Sequence, residues 1–258
     1  MKKLKEIYNY RQMIFGLVRK DLRGRYKGSV LGFLWTFVNP LLQLVVYSIV
    51  FSMIMRVDVD KYYVFLFVAL IPWIFFSSSV TGGSSSIIAA KDMVTKIYFP
   101  RHVIPISYVT SCFVNMLLCF IVVLLVVFVS GIGINFVALL YLPIVMLVEY
   151  FLALGFAFIS SAVTVYFRDL EHILGIIMMA WMYFTPVMYT SDMGPQQMRT
   201  VFNLNPMVHI ITAYRDILYY KSVPSLSSLI PSVLLGVGFV IIGFGLFSFL
   251  EKRFAEEL

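Results

Sequence analysis

Five stretches of the chain, residues 28–55, 62–90, 103–148, 173–190 and 222–250, contain no Asp, Glu, Lys or Arg. About 20 apolar residues of α-helix cross the roughly 30 Å of a bilayer's hydrocarbon core. A chain inside that core must satisfy its own backbone polar groups, which leaves helices for runs of this kind. The 46 residues from Val103 to Val148 are too many for one crossing, and Gly131-Ile132-Gly133-Ile134-Asn135 supplies the turn that divides them. The reading is an all-α integral membrane protein, a single membrane domain over 1–258, with six transmembrane helices at 28–55, 62–84, 105–130, 137–165, 173–190 and 229–250. Composition agrees: 61% of the 258 residues are hydrophobic, against about 45–50% in a soluble domain. The 13% that are charged are too few to coat a globule of this size.

The charges gather at the edges of the apolar runs. Between residues 4 and 26, Ile7, Tyr10, Ile14, Leu17, Val18 and Leu22 recur at three- and four-residue steps among Lys5, Arg11, Arg19, Lys20, Arg23 and Arg25. That pattern is a basic amphipathic helix, expected in the cytoplasmic headgroup layer. Of the 20 Lys and Arg, 15 fall in segments that this topology puts in the cytoplasm and 5 in segments outside, the bias that the positive-inside rule requires. Both ends of the chain are therefore expected in the cytoplasm. The first region is too long in charge, and the run after it too extended, for a cleaved signal peptide. Topology and anionic headgroups account for the net charge of +7, so no nucleic-acid partner is expected.

One cationic interruption, 85–102, separates the second run from the third. Lys91, Lys96 and Arg101 outnumber Asp92 there, and Ile97-Tyr98-Phe99 is an apolar centre, with Pro100 and Pro105 marking a turn and a new helix start. From the residues alone it is either a solvated loop or a contact surface for a soluble cytoplasmic partner. On the opposite side, 192–221 mixes apolar and polar residues with Pro195 and Pro206 as breakers. Two short re-entrant helices, about 195–203 and 207–220, are expected to dip into the outer interface before the last span. Asn39-Pro40 should bend the first crossing. Gly82-Gly83 with Ser84–Ser86 make the inner end of the second either close-packed or flexible. Gly236 with Gly243, and Gly238 with Gly245, stand at seven-residue steps and suit close helix packing.

Little in the sequence carries bond-making chemistry. Cys112 and Cys119 lie about 10 Å apart along one helix, too far to bridge within it. His102, His172 and His209 have no metal-ligand spacing, and no G-x-x-x-x-G-K-[ST] phosphate loop occurs. No catalytic residue, metal or cofactor of this chain's own is expected. Glu149 is the carboxylate deep inside a predicted crossing, either a proton relay or an acid held by interface hydroxyls such as Tyr150 or Ser160. Aromatic residues reach 17%. Phe33, Trp35, Phe37 and Tyr47 of the first crossing, with Trp73 of the second, sit deeper than an interfacial belt. They can line a passage with flat faces for a sugar chain, or simply pack.

An ordered set of motifs runs through the chain: Arg25-Tyr26, Leu31-Gly32-Phe33-Leu34-Trp35 and Asn39-Pro40; Pro72-Trp73 with Phe75-Phe76; Lys96-Ile97-Tyr98-Phe99-Pro100-Arg101 and Pro105; Tyr166-Phe167-Arg168-Asp169; Thr185-Pro186-Val187 with Tyr189; Asn205-Pro206; Tyr214-Arg215. In this the chain resembles the permease subunits of ABC-2 type transporters, most of all the branch exporting polysaccharides such as O-antigen, capsule and teichoic acid. The resemblance covers about Leu17 to Leu250. It implies a homodimer of six-helix subunits in a bacterial inner membrane, with two copies of a separate ATP-binding cassette ATPase docked beneath and ATP and Mg bound on that ATPase. It also implies that Lys96, Ile97, Tyr98, Phe99, Pro100 and Arg101 couple to the ATPase, that the basic helix lies beside it, and that 195–220, with Asn205, Pro206, Tyr214 and Arg215, gates the outer mouth. The implied cargo is a lipid-linked polysaccharide. The alternatives are a small amphipathic drug or lipid on the same fold, and a proton-coupled carrier using Glu149.

Overall fold

A computed structural model describes residues 2–25, 28–190 and 199–258, and its elements are helical. Tyr26 of the sequence motifs and residues 195–198 of the expected outer helices lie outside the described residues. Among the described residues, five helical segments are long and apolar enough to cross a membrane: Gly32–Ile54, Tyr62–Ala89, Val103–Val129, Phe136–Tyr166 and Leu226–Arg253.

The bundle is built around α4, Tyr62–Ala89. Every residue from Val64 to Trp73 is buried, which is why the sequence there is apolar on all sides with no helical stripe. α6 (Val103–Val129) and α8 (Leu142–Tyr166) pack on it, and α12 (Leu226–Leu250) packs on α8. The expected span 137–165 is broken: a short α7, Phe136–Leu139, capped by the Asn135 side chain, precedes α8. α4 runs five residues beyond the expected end at 84. Ser84, Ser85 and Ser86 bond back to carbonyls three residues earlier, Ser86 Oγ to Gly83 O at 2.7 Å, so hydroxyls near the expected end are satisfied inside the helix.

Two helices lie at the rim. The first crossing begins with a 3₁₀ turn, Gly32–Leu34, continues as α3, Trp35–Ser48, and loosens into a π-helical turn, Ile49–Ile54. Its buried residues are Thr36, Pro40 and Leu44, one line at four-residue steps; Leu42, Val45, Val46, Ile49 and Met53 face away from the subunit. α9, Leu170–Tyr183, buries Met178 alone. Its 14 residues reach only about 21 Å, and the rest of the expected span 173–190 is the turn around Thr185-Pro186.

The basic amphipathic region forms two helices where one is expected, α1 (Lys2–Asn9) and α2 (Arg11–Gly24), because Tyr10 N–H turns to Glu6 O and Ile7 O in a tightened turn. The stripe is as expected: Ile7, Tyr10, Ile14, Leu17 and Leu22 are half-buried and Val18 is buried, while Lys5, Arg11, Arg19, Lys20 and Arg23 are exposed. α2 lies on α6, fastened by Arg25, which donates to Asp21 Oδ2 at 2.9 Å and Ser111 Oγ at 3.1 Å.

Of the two expected glycine pairs, one packs helices together. A side chain on Gly243 would meet the Gly155 carbonyl oxygen at 2.6 Å, and Gly236 lies against the Leu152 backbone, so α12 and α8 cross at glycine. Gly238 and Gly245 face open space. They are rotated off the line Leu229, Ser232, Gly236, Gly243, Phe247 that α12 buries.

Candidate functional site

The cationic interruption folds into a short helix, α5 (Lys91–Lys96), followed by an extended residue, Ile97. The hydrophobic triplet then splits. Ile97 and Tyr98 point outward, 60% and 88% exposed, whereas Phe99 is 5% exposed and belongs to the core. Lys96 is exposed and pairs with Asp92 at 3.0 Å, a surface contact worth little. Pro100 is half-buried. Arg101 turns inward: its guanidinium donates to the backbone carbonyl of Glu251 and lies 5.9 Å from the Phe254 ring. The six residues thus form an elbow with an outer face of Lys96, Ile97 and Tyr98 and an inner face of Phe99 and Arg101. Beside it lies a recess of about 310 Å³, bounded by Lys3, Ile7, Tyr98, Arg101 and Lys252.

The opposite end of the bundle is closed by α10 (Arg199–Leu204) and α11 (Pro206–Leu218), two short helices in the part of 195–220 that the structure describes. Asn205 caps α11 by accepting from Met207 N–H, and its amide donates to Phe184 O and Thr185 Oγ1 at 3.1 and 2.9 Å. Pro206, at the first position of α11, accepts from Ser232 Oγ of α12 at 2.8 Å. Arg215 is 5% exposed. It donates to the carbonyls of Pro186 at 2.6 Å and Val187 at 2.7 Å, and its guanidinium carbon stands 3.5 Å from the centre of the Phe65 ring. Tyr62 at the start of α4 donates to Met188 O at 2.7 Å. Three motifs that the sequence shows separately, Thr185-Pro186-Val187, Asn205-Pro206 and Tyr214-Arg215, therefore meet in one knot. Arg215 serves as the hydrogen-bond partner of a non-helical loop that would otherwise bury bare carbonyls.

Glu149 is fully buried, and its Oε2 accepts from the Tyr214 hydroxyl at 2.7 Å. The hydroxyl that holds it comes from α11, not from Tyr150 or Ser160: Tyr150 faces Thr110 at 2.9 Å, and Ser160 bonds to Val80 O. Among the residues expected along a passage, Phe33 is exposed at the rim and Trp35, Phe37 and Tyr47 are half-buried. Trp73 is 4% exposed, inside the subunit against Phe76. Among the described residues no three His, Cys, Asp or Glu side chains converge as a metal site requires.

Sequence reasoning does not find the contacts that hold the elbow from behind. His102 places Nε2 3.0 Å from Ser248 Oγ and Nδ1 3.2 Å from Glu251 Oε2, and Lys3 Nζ reaches Glu251 Oε1 at 2.6 Å. Partners separated by 146 and 248 residues leave no local signal.

The sequence profile described as ABC-2 type transporter matches residues 12–219. The chain is similar to the O-antigen export system permease protein RfbA of Myxococcus xanthus, 35% identical over 257 residues, 99% of this chain and 98% of that one. It is also similar to a protein of the same name from Klebsiella pneumoniae, 35% identical over 244 residues, 94% and 93% of the two chains. The polysialic acid transport protein KpsM of Escherichia coli is 24% identical over 206 residues, 78% of each chain.

Proposed function

The chain belongs to the ABC-2 type transporter family, and from that premise we propose that it is the permease subunit of an ATP-driven exporter. It moves a lipid-linked polysaccharide of the O-antigen, capsule or teichoic acid kind from the cytoplasmic side across a bacterial inner membrane. The observation that carries this reading is the 35% identity, over nearly the whole length of both chains, with a protein named for O-antigen export. The power source is a separate ATPase, two copies of which bind ATP and Mg beneath a homodimer of this chain. If transport is ATP-driven, a permease without a phosphate loop draws on such a companion, and an exposed Ile97-Tyr98 pair on a basic inner face is a surface for it.

In this reading the subunit makes six crossings. The crossing added to the five long helices, fifth in chain order, is α9 with the loop after it, and two contacts support it. Lys3 meets Glu251, which puts the start of α1 and the end of α12 on one side. Tyr62 meets Met188, which brings the chain after α9 to the end of α4 opposite the elbow. With the positive-inside bias, the side bearing the elbow is the cytoplasm. The apolar outer face of α3 is where a second copy packs, and Phe33, exposed in the 3₁₀ turn before α3, borders the passage between protomers. ATP-driven closure of the companion pushes on Ile97 and Tyr98, tilts α6, and advances the polymer.

The test is co-expression with an ATP-binding cassette ATPase, purification as a complex, and reconstitution into proteoliposomes with a lipid-linked polymer. Polymer should reach the protected side only with ATP and the companion present. Uphill transport by this chain alone, or movement of lipid or drug but not polymer, would overturn the reading.

A further inference from the structure

Glu251, the first charged residue after the last apolar run, is where three segments distant in sequence meet. Its Oε1 takes Lys3 of α1 at 2.6 Å, and its Oε2 takes the His102 ring at the threshold of α6 at 3.2 Å. Its backbone carbonyl takes Arg101. One turn earlier Ser248 holds the other His102 nitrogen, and Tyr166 at the end of α8 donates to Leu250 O at 2.9 Å. Phe254 then folds under the end of α12, fully buried, with its ring 5.4 Å from that of Phe247. Side chains from the elbow and from α8 thus bind the backbone where α12 passes into its terminal 3₁₀ turn.

Exposure decides which arm of this cluster matters. The Lys3 side chain is 46% exposed, and ion pairs of that kind contribute little. The His102 side chain is 2% exposed and stacked between Phe244 and Phe247, each 4.5 Å away. Its ring nitrogens have no water to turn to if Glu251 and Ser248 let go. We propose that Glu251 is a positioning residue: it latches the elbow to the end of α12, so that a displacement at Tyr98 moves α6 and α12 as one body. This rests on the coupling role given to the elbow above.

The latch is tested first without the companion, by amide hydrogen exchange on the whole permease in lipid nanodiscs. In Glu251→Gln, amides over 97–102 and 248–254 should exchange about tenfold faster, while Lys3→Gln leaves 97–102 within about twofold of wild type. Unchanged exchange in Glu251→Gln, or equal acceleration by Lys3→Gln, overturns the latch. Should Glu251→Gln fail to accumulate, Ser248→Ala is read the same way. It removes one His102 contact and should speed exchange about threefold over 97–102 alone; unchanged rates overturn the latch. The second arm uses the complex with its ATPase. Glu251→Gln should lose export about tenfold while ATP turnover falls less than twofold, and Glu251→Asp should recover part of the export. An unchanged ratio of export to hydrolysis overturns the transmission role. If the wild-type complex itself exports nothing, the coupling reading falls, and the exchange result still decides whether the latch exists.

Discussion

The two ends of the bundle carry similar residues and use them in opposite ways. At the α11 end an arginine, a tyrosine and an asparagine are buried within the subunit, and their hydrogen bonds go to backbone, to the Thr185 hydroxyl and to Glu149. At the inner end an isoleucine and a tyrosine stand in the open, although both are apolar enough to be core. A buried polar group must be paired, so the outer knot reports how one chain holds itself together. An exposed apolar pair lowers no energy within the subunit, and in the proposed reading it is the surface that the partner covers. Motif residues thus fall into two kinds, and burial separates them where the sequence does not.

The comparison breaks most visibly at Arg215. Arg215→Ala should cost about 3–5 kcal/mol, because the Pro186 and Val187 carbonyls lose their donors inside the protein. Fluorescence-detected size exclusion after heating would show the loss. Arg215→Lys should recover less than half of it, since one ammonium replaces a fork that serves two carbonyls. Phe99→Ala should cost about 3 kcal/mol by emptying a core site, whereas Ile97→Ser, its neighbour but one, should stay within about 0.5 kcal/mol. A charge placed at Phe99 is therefore a test of folding, and tests of docking belong at Ile97 and Tyr98.

Between the two ends, Gly243→Ala should cost about 1–3 kcal/mol through the contact with the Gly155 carbonyl. Gly238→Ala and Gly245→Ala, facing open space, should change the unfolding free energy by about 0.5 kcal/mol or less. A small effect is also expected at Glu149→Gln, which leaves Tyr214 an acceptor. It should cost less than about 1 kcal/mol and leave export intact after the proton gradient is collapsed. Loss of export in that variant with stability unchanged would revive the proton-carrier alternative.

Five of the expected spans, the amphipathic stripe and the place of the elbow are legible in the sequence because each is local: charge-free length, helical periodicity, and a cationic break between apolar runs. The stripe of α2 and the burial of α4 on every side can be read from residue order alone. What order does not show is which way a side chain faces after a turn. Ile97, Tyr98 and Phe99 look alike in the sequence, and one extended residue at Ile97 sends Phe99 inward. Gly236 and Gly238 look equivalent, and two residues of helix rotate one onto α8 and the other away. Glu149 looks isolated because its partner Tyr214 lies 65 positions on. Separations of 20 to 29 positions hide the knot, whose three motifs are visible singly and whose convergence on the Thr185–Val187 loop is a tertiary fact.

The most direct test pairs stability with work in one variant, Ile97→Ser with Tyr98→Ala, in the reconstituted complex with its ATPase. The unfolding midpoint of the permease should match wild type, while ATP-dependent export of the lipid-linked polymer falls at least about tenfold. Wild-type export from that double variant would contradict the assignment of the exposed pair to the partner.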